Sequence, residues 1–179
     1  MKLHFLYLIF PLILHHASCQ EKKSQATVYE SKEKGRDTAI NIPTTIVKAI
    51  KSQEDWRNQL DKESFYVLRE HGTERAFSGK YWDQHEKGIY CCKACQLPLF
   101  NASDKFDSGT GWPSFTNAIQ SHLVSEKTDN SYGMQRVEVL CAQCDGHLGH
   151  VFDDGPKPTG KRFCINSVSL DFVKNASIK

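Results

Sequence analysis

Two C-x-x-C pairs, Cys92/Cys95 and Cys141/Cys144, separated by 45 residues, constrain this chain more than anything else in it. Each tight turn presents two thiolates. Joined, the pairs make a closed four-thiolate site for one tetrahedral Zn2+, with no position open for a substrate. Such a clamp ties two distant hairpins and contributes directly to folding. Two disulfides or redox-active C-x-x-C motifs are the competing reading, because an exported chain meets an oxidising compartment. Zinc is favoured on three grounds. There are two pairs, each follows an apolar strand-like run (Gly88-Ile89-Tyr90 and Val137-Glu138-Val139-Leu140), and neither has the strand-to-helix setting of a thioredoxin-type motif. A structural metal leaves the chemistry to other residues.

The 179 residues allow one domain with extensions, and a net charge of +2 gives no reason to expect a polyanion partner. The segments around the cysteine pairs, Phe106-Asp107-Ser108-Gly109 and His150-Val151-Phe152-Asp153-Asp154-Gly155, are acidic or neutral. They lack the basic and aromatic clusters of nucleic-acid readers, so no nucleic acid is expected.

The N-terminus differs from the rest. Phe5 to Leu14 is almost wholly apolar, too short to span a bilayer, and has the length of a signal-peptide core. Ala17-Ser18-Cys19 resembles the end of a bacterial lipoprotein signal, although His16 stands where that signal usually has an aliphatic residue. The expectation is export to the periplasmic side of a bacterial envelope with a lipid anchor at Cys19. The alternative is simple cleavage to a secreted or soluble periplasmic protein. Residues 1–19 are thus read as signal and 20–42, polar and charge-rich, as a tether. The domain is read over 43–174, with 175–179 as a tail.

Helical signals begin near Pro43, where Thr44 or Thr45 can cap and Ile46, Ala49 and Ile50 share a face. A second helix is predicted from a Ser52 cap through Leu60, and a third over Lys62 to Glu70. From Gly88 onward, short apolar or alternating runs separated by Gly, Pro, Asn and Asp clusters predict a compact antiparallel β core. The fold class is therefore mainly β, with short N-terminal helices packed outside a zinc-clamped core.

Cys164 stands apart from the pairs, in Arg162-Phe163-Cys164-Ile165-Asn166. A lone strand cysteine is commonly an inert buried residue. Read as one strand, this segment puts Cys164, Asn166 and Val168 on a shared face, with an amide beside the sulfur. Arg162 adds positive potential if the alternation holds. His147 and His150, three residues apart, are not needed by a metal that four cysteines already saturate, so they are available for proton transfer or are plain packing histidines. Gly109-Thr110-Gly111-Trp112-Pro113 is a sharp loop that would hold the Trp112 indole as the wall of a small pocket.

Together these stretches resemble the methionine-R-sulfoxide reductases, the B type of methionine sulfoxide reductase. The matching segments are Trp56-Arg57-Asn58-Gln59-Leu60, Leu68 to Gly79, Gly88-Ile89-Tyr90 and both C-x-x-C pairs, then Gly111-Trp112-Pro113-Ser114-Phe115, His147-Leu148-Gly149-His150-Val151-Phe152 and Arg162 to Ser167. They cover residues 45 to 174 in order. The resemblance implies two antiparallel β-sheets with helices at the N-terminal side. It implies a monomer acting on methionine-sulfoxide-containing proteins or peptides. It implies that Cys164 attacks the sulfoxide sulfur and becomes a sulfenic acid, that His147 or His150 protonates the departing oxygen, that Asn166 orients polar groups, and that Trp112 and Phe152 hold the substrate.

One departure matters. Many family members carry a cysteine at the position of Thr110, and that cysteine resolves the sulfenic acid into a disulfide. Cys91 is the remaining unassigned thiol of the domain, but it adjoins a zinc ligand. The expectation is direct reduction of Cys164 by an external, thioredoxin-like thiol. A zinc-stabilised module that binds methionine without turnover, and a redox switch built on the C-x-x-C pairs, are the competing functions.

Overall fold

A computed structural model describes residues 38–179. The signal segment 1–19, its Cys19 anchor and most of the 20–42 tether lie outside the described residues.

The described chain opens with strand β1 (Thr38–Ile40), then helices α1 (Gln53–Gln59) and α2 (Lys62–Glu70). Ten strands follow: β2 (Gly88–Cys92), β3 (Pro98–Asn101), β4 (Lys105–Phe106), β5 (Ser114–Phe115), β6 (Val124–Asp129), β7 (Arg136–Cys141), β8 (His147–Phe152), β9 (Arg162–Ile165), β10 (Leu170–Lys174) and β11 (Ala176–Ile178). The architecture is mainly β, as expected. One antiparallel sheet has the order β10-β2-β3, and a larger one has the order β4-β5-β9-β8-β7-β6. Among the described residues no helix is long and apolar enough to cross a membrane.

Both helices start where local side chains cap them. Ser52 Oγ accepts from Asp55 N at 3.1 Å while the Asp55 carboxylate accepts from Ser52 N at 3.2 Å, a reciprocal capping box. Asp61 accepts from Ser64 N at 2.8 Å. Each cap stabilises its helix by about 1 kcal/mol. The buried faces, Trp56 on α1 and Phe65, Val67 and Leu68 on α2, then supply the larger hydrophobic term that such short helices need.

The core joins the helices to both sheets. Trp56, Leu60, Phe65 and Leu68 pack with Tyr90, Leu99, Phe100, Phe115, Val139, Leu148, Phe163 and Ile165 in one buried cluster. Phe100 stacks on Phe115 with centroids 4.5 Å apart, and Tyr90 meets Phe115 edge-on at 5.1 Å. Each such contact adds about 0.5–1.5 kcal/mol beyond burial, and both pairs run from the smaller sheet to the larger one.

Three expectations fail. Residues 43–51 form no helix. Thr44, Thr45, Ile46, Val47 and Ile50 are β-branched, which costs χ1 freedom in a helix, and the segment instead runs irregularly across the domain. Ala49 N donates to Gln143 O at 2.8 Å and Lys48 pairs with Asp145, so this strap is tied to the second cysteine knuckle. Second, Thr38–Ile40, read as tether, pairs in parallel with Ala176–Ile178, read as tail. Ile40 is buried against Ile89 and Cys91, which draws this ribbon onto the smaller sheet. Third, the strand carrying Cys164 ends at Ile165. Asn166 turns the chain into a single 3-10 turn over Ser167–Ser169, so Cys164, Asn166 and Val168 do not share a strand face.

Candidate active site and metal centre

The two C-x-x-C pairs build matching knuckles. Gln96 N donates to Cys92 O and Asp145 N to Cys141 O, at 2.8 and 2.9 Å. Gln96 and Asp145 adopt φ of 62° and 56°, the left-handed turn that brings the second cysteine of each pair back beside the first. All four sulfurs lie within 4.8 Å of one another, with Cys92 Sγ to Cys144 Sγ at 3.6 Å and Cys95 Sγ to Cys141 Sγ at 3.5 Å. These separations exclude S–S bonds of about 2 Å. They are close to the edge of about 3.8 Å that a tetrahedron with metal–sulfur bonds of about 2.3 Å requires. The donor set fits one closed structural metal site. It ties β2 of the smaller sheet to β7 of the larger, and β8 begins three residues after Cys144.

β8 and β9 pair antiparallel, with His150 opposite Cys164, while Ser114 on β5 is Cys164's partner on the other side. Gly149 permits this pairing. A Cβ there would lie 2.0 Å from Cys164 O, so any larger residue would drive the strands apart beside the sulfur. Gly111 has a similar role in the Trp112 loop. Its φ is +86°, and a Cβ would meet Phe77 N at 2.7 Å, while Phe77 N donates to Gly111 O at 2.8 Å. The loop is thereby pinned, and Trp112 Nε1 donates to Glu74 O at 3.2 Å.

These elements enclose a cavity of about 130 Å3, lined by Trp112, His150, Phe152, Cys164 and Asn166 with Thr73, Arg136 and Gly149. Its size suits one side chain. Five sequence-derived candidates thus meet at one place. His147 does not line it. That ring is 2 % exposed, its Nδ1 sits 2.6 Å from Glu138 Oε1, and its centroid lies 5.4 Å from that of His150. Cys91 is elsewhere too, 3 % exposed in the cluster with Ile40 and Ile89, and burial pushes its thiol up to about 12.

Asn166 reaches the cavity by another route than strand alternation. Its Nδ2 donates to Leu148 O at 2.9 Å and its Oδ1 accepts from Glu74 N at 3.0 Å, so both ends of the amide are committed to backbone. The Glu74 carboxylate accepts from Ser167 N and Val168 N at 2.6 and 2.9 Å. Those amides are therefore unavailable to a sheet ladder, and this ends the strand. Burial raises the Glu74 carboxyl even against these bonds.

Burial also raises the Cys164 thiol. Thr110, whose Oγ1 is 3.8 Å from Sγ, opposes the shift, together with Arg162 and Ser114. Ser108 links the two hydroxyls, at 2.8 Å to Thr110 and 2.7 Å to Ser114. Arg162 shares the Cys164 face as alternation predicts. Its fork grips Asp154 through two bonds of 2.8 Å and lies over the Phe152 ring at 4.4 Å. Opposite, His150 Nε2 contacts Asp129 Oδ2 at 2.8 Å. The Ser131 hydroxyl and N–H, with His150 and Arg136, hold the Asp129 carboxyl well below its usual range.

The raised thiol has a measurable consequence. Only the thiolate alkylates, so its fraction grows with pH until the folded-state pKa is passed. Iodoacetamide modification of Cys164, followed by the mass of its peptide, should therefore rise with pH from 7 to 9 and still be rising where a free cysteine levels off. Arg162→Met removes a cation that favours the thiolate, which raises the pKa further and slows modification at every pH in that range. Equal rates for the two proteins would show that Arg162 does not act on the sulfur.

Asp129, Arg136, Glu138, Thr73 and Glu74 were missed as site residues. A glutamate inside the apolar run Val137-Glu138-Val139-Leu140 was a readable signal, since a charge there needs a buried partner. The others gave none.

Residues 60–174 match the SelR domain. The peptide methionine sulfoxide reductase MsrB of Thiobacillus denitrificans is 58 % identical over 122 residues, covering 68 % of this chain and 92 % of that protein. The proteins of the same name from Methanosarcina mazei and Agrobacterium fabrum are 58 % and 54 % identical, covering 71 % and 72 % of this chain and 91 % and 95 % of their own lengths.

Proposed function

The chain belongs to the SelR-domain family of peptide methionine sulfoxide reductases and is an oxidoreductase of that kind; from this premise we propose that it reduces the R epimer of methionine sulfoxide in proteins or peptides through a sulfenic acid on Cys164. The observation that carries the reading is the cavity in which Cys164, His150 and the Trp112 indole face one side-chain-sized space.

In the proposed reaction the S-methyl packs on Trp112 and Phe152, and Cys164 sulfur attacks the sulfoxide sulfur. As the S–O bond breaks, the protonated oxygen passes to the Cys164 sulfur. The new S–S bond breaks with its electron pair left on the methionine sulfur, so that Cys164 is a sulfenic acid and methionine leaves as the reduced product. His150 delivers the proton that the departing oxygen needs. It lines the cavity opposite Cys164, whereas His147 is buried against Glu138. Thr110, Ser114 and Arg162 favour the reacting thiolate against the burial that opposes it. Regeneration consumes two external thiols, which become a disulfide as water departs. A thioredoxin-like protein suits this role, because Thr110 offers no sulfur and Cys91 is buried away from the cavity. The four-cysteine site would hold Zn2+, a scaffold ion in this scheme.

A racemic methionine-sulfoxide peptide with dithiothreitol tests the reading. Conversion should stop at half, leaving the S epimer, and one equivalent of substrate should leave a trappable sulfenic acid on Cys164 with Cys91 still a thiol. Complete conversion would remove the stereochemical assignment, and a Cys91–Cys164 disulfide would remove direct regeneration. Export with a lipid on Cys19 rests on residues 1–20, and a mature N-terminus without a diacylglyceryl group would refute the anchor.

A further inference from the structure

We propose that His71, Glu138 and His147 form a second metal site, separate from the cysteine cluster, which takes a divalent transition cation such as Zn2+, Co2+ or Ni2+. Three elements bring the donors together. His71 caps the C-terminus of α2 in the left-handed conformation, φ 56°, which swings its ring off the helix. Glu138 lies inside β7 and His147 opens β8, both buried. One ligand atom from each falls within 4.8 Å of the others. Two imidazoles and a carboxylate are the borderline donors that such cations accept.

The charge state is suitable. Burial would raise the Glu138 carboxyl, but His71 and His147 outweigh it and hold it below its usual range, so it is an anion. His147 is held neutral by burial, as a ligand must be. Both Nδ1 atoms sit 2.6 Å from the same Glu138 oxygen. A cation held by these Nδ1 atoms would displace both hydrogen bonds, each neutral ring then carrying its proton on Nε2. Among the described residues His147 Nε2 has no hydrogen-bond partner, so only the Glu138 bond opposes that tautomer. Metal bonds of about 2.0–2.2 Å require donors about 3.0–3.5 Å apart. The opening falls on His71, whose side chain is 60 % exposed.

The three residues line a cavity of about 640 Å3 that leaves room for water on the remaining positions. That cavity shares Thr73, Arg136 and His150 with the Cys164 cavity. Through that shared wall a cation would sit beside the space that the substrate enters, so occupancy should slow the reductase. The binding claim stands without the proposed function; the inhibition rests on it.

The test titrates Co2+ into the full chain with its cysteine site already loaded with zinc. One further equivalent should bind, with visible bands and no thiolate charge-transfer absorption. His71→Ala, a change at an exposed position, should weaken binding at least about tenfold, and Glu138→Gln should do the same. Turnover of wild type should fall as the second equivalent binds, while His71→Ala keeps its rate. No further equivalent, or cobalt appearing with thiolate bands by exchange into the cysteine site, would overturn the proposal, as would equal affinity in His71→Ala. Binding without inhibition would overturn the coupling between the two cavities. Absence of turnover in both proteins before metal is added would count against the reductase reading and leave the binding result standing.

Discussion

Cys164→Ser should reduce methionine-sulfoxide turnover to background, a loss of at least about a thousandfold, while leaving the fold and the binding of substrate unchanged. The attacking atom must be a nucleophilic anion that accepts oxygen and later returns it. A serine hydroxyl ionises far above any working pH and cannot carry a second oxygen that thiols reduce. The surroundings tolerate the exchange. Cys164 is partly buried, its neighbours Thr110 and Ser114 are hydroxyls, and the β8 and β5 pairings run through backbone. The Tm should therefore move by no more than a surface substitution moves it, a change of about 0.5 kcal/mol. Calorimetry, substrate binding and turnover measured together separate the cases. Residual turnover above background would transfer the nucleophile's role elsewhere, and lost binding or stability would make Cys164 a packing residue.

Removal of the metal should have the larger structural effect. A four-thiolate zinc site contributes about 10–16 kcal/mol of apparent binding free energy, as much as the whole stability of a domain, about 5–15 kcal/mol. Here the ion would replace continuous strand pairing between β2 and β7, which belong to different sheets. Chelation under reductant, or Cys95→Ser, should abolish the cooperative thermal transition or lower Tm by more than about 20 °C. Turnover should be lost with it, because His147 and His150 lie on the strand that leaves the Cys141–Cys144 knuckle. Reductant is needed because thiols 3.5 Å apart would otherwise oxidise once the metal is gone. A metal-free protein that keeps its Tm and activity would show that the surrounding core alone holds the knuckles.

Much of this was legible wherever the signal was local. The cysteine spacing within each pair, the Ser52–Asp55 cap and the apolar strand-like runs around Ile89 and Val139 are each set within a few residues. Their readings agree with the structure. Residues 43–51 were misread because Ile46, Ala49 and Ile50 have helical spacing, yet two of the large apolar side chains nearby, Val47 and Ile50, are 79 % and 91 % exposed. What holds the segment is its bond to Gln143, nearly a hundred residues away. The same distance hid the β1–β11 ribbon and the end of the Cys164 strand.

By itself the sequence determined the chemistry on offer: four thiols at knuckle spacing, one separate strand cysteine, two histidines, a tryptophan in a glycine-pinned loop and a threonine between the glycines of that loop. Only the tertiary structure decided which of these meet. His150 faces Cys164 and His147 does not, because the β8–β9 register sets His150 opposite Cys164 while the register shift at Val139/Leu140 leaves the His147 ring against Glu138. Cys91, one residue from a metal ligand, points into a different core. Glu138 becomes the shared partner of His71 and His147 only because α2 ends above β7 and β8. Spacing along the chain is a local property, whereas the partner of a buried charge is whatever the fold carries to it.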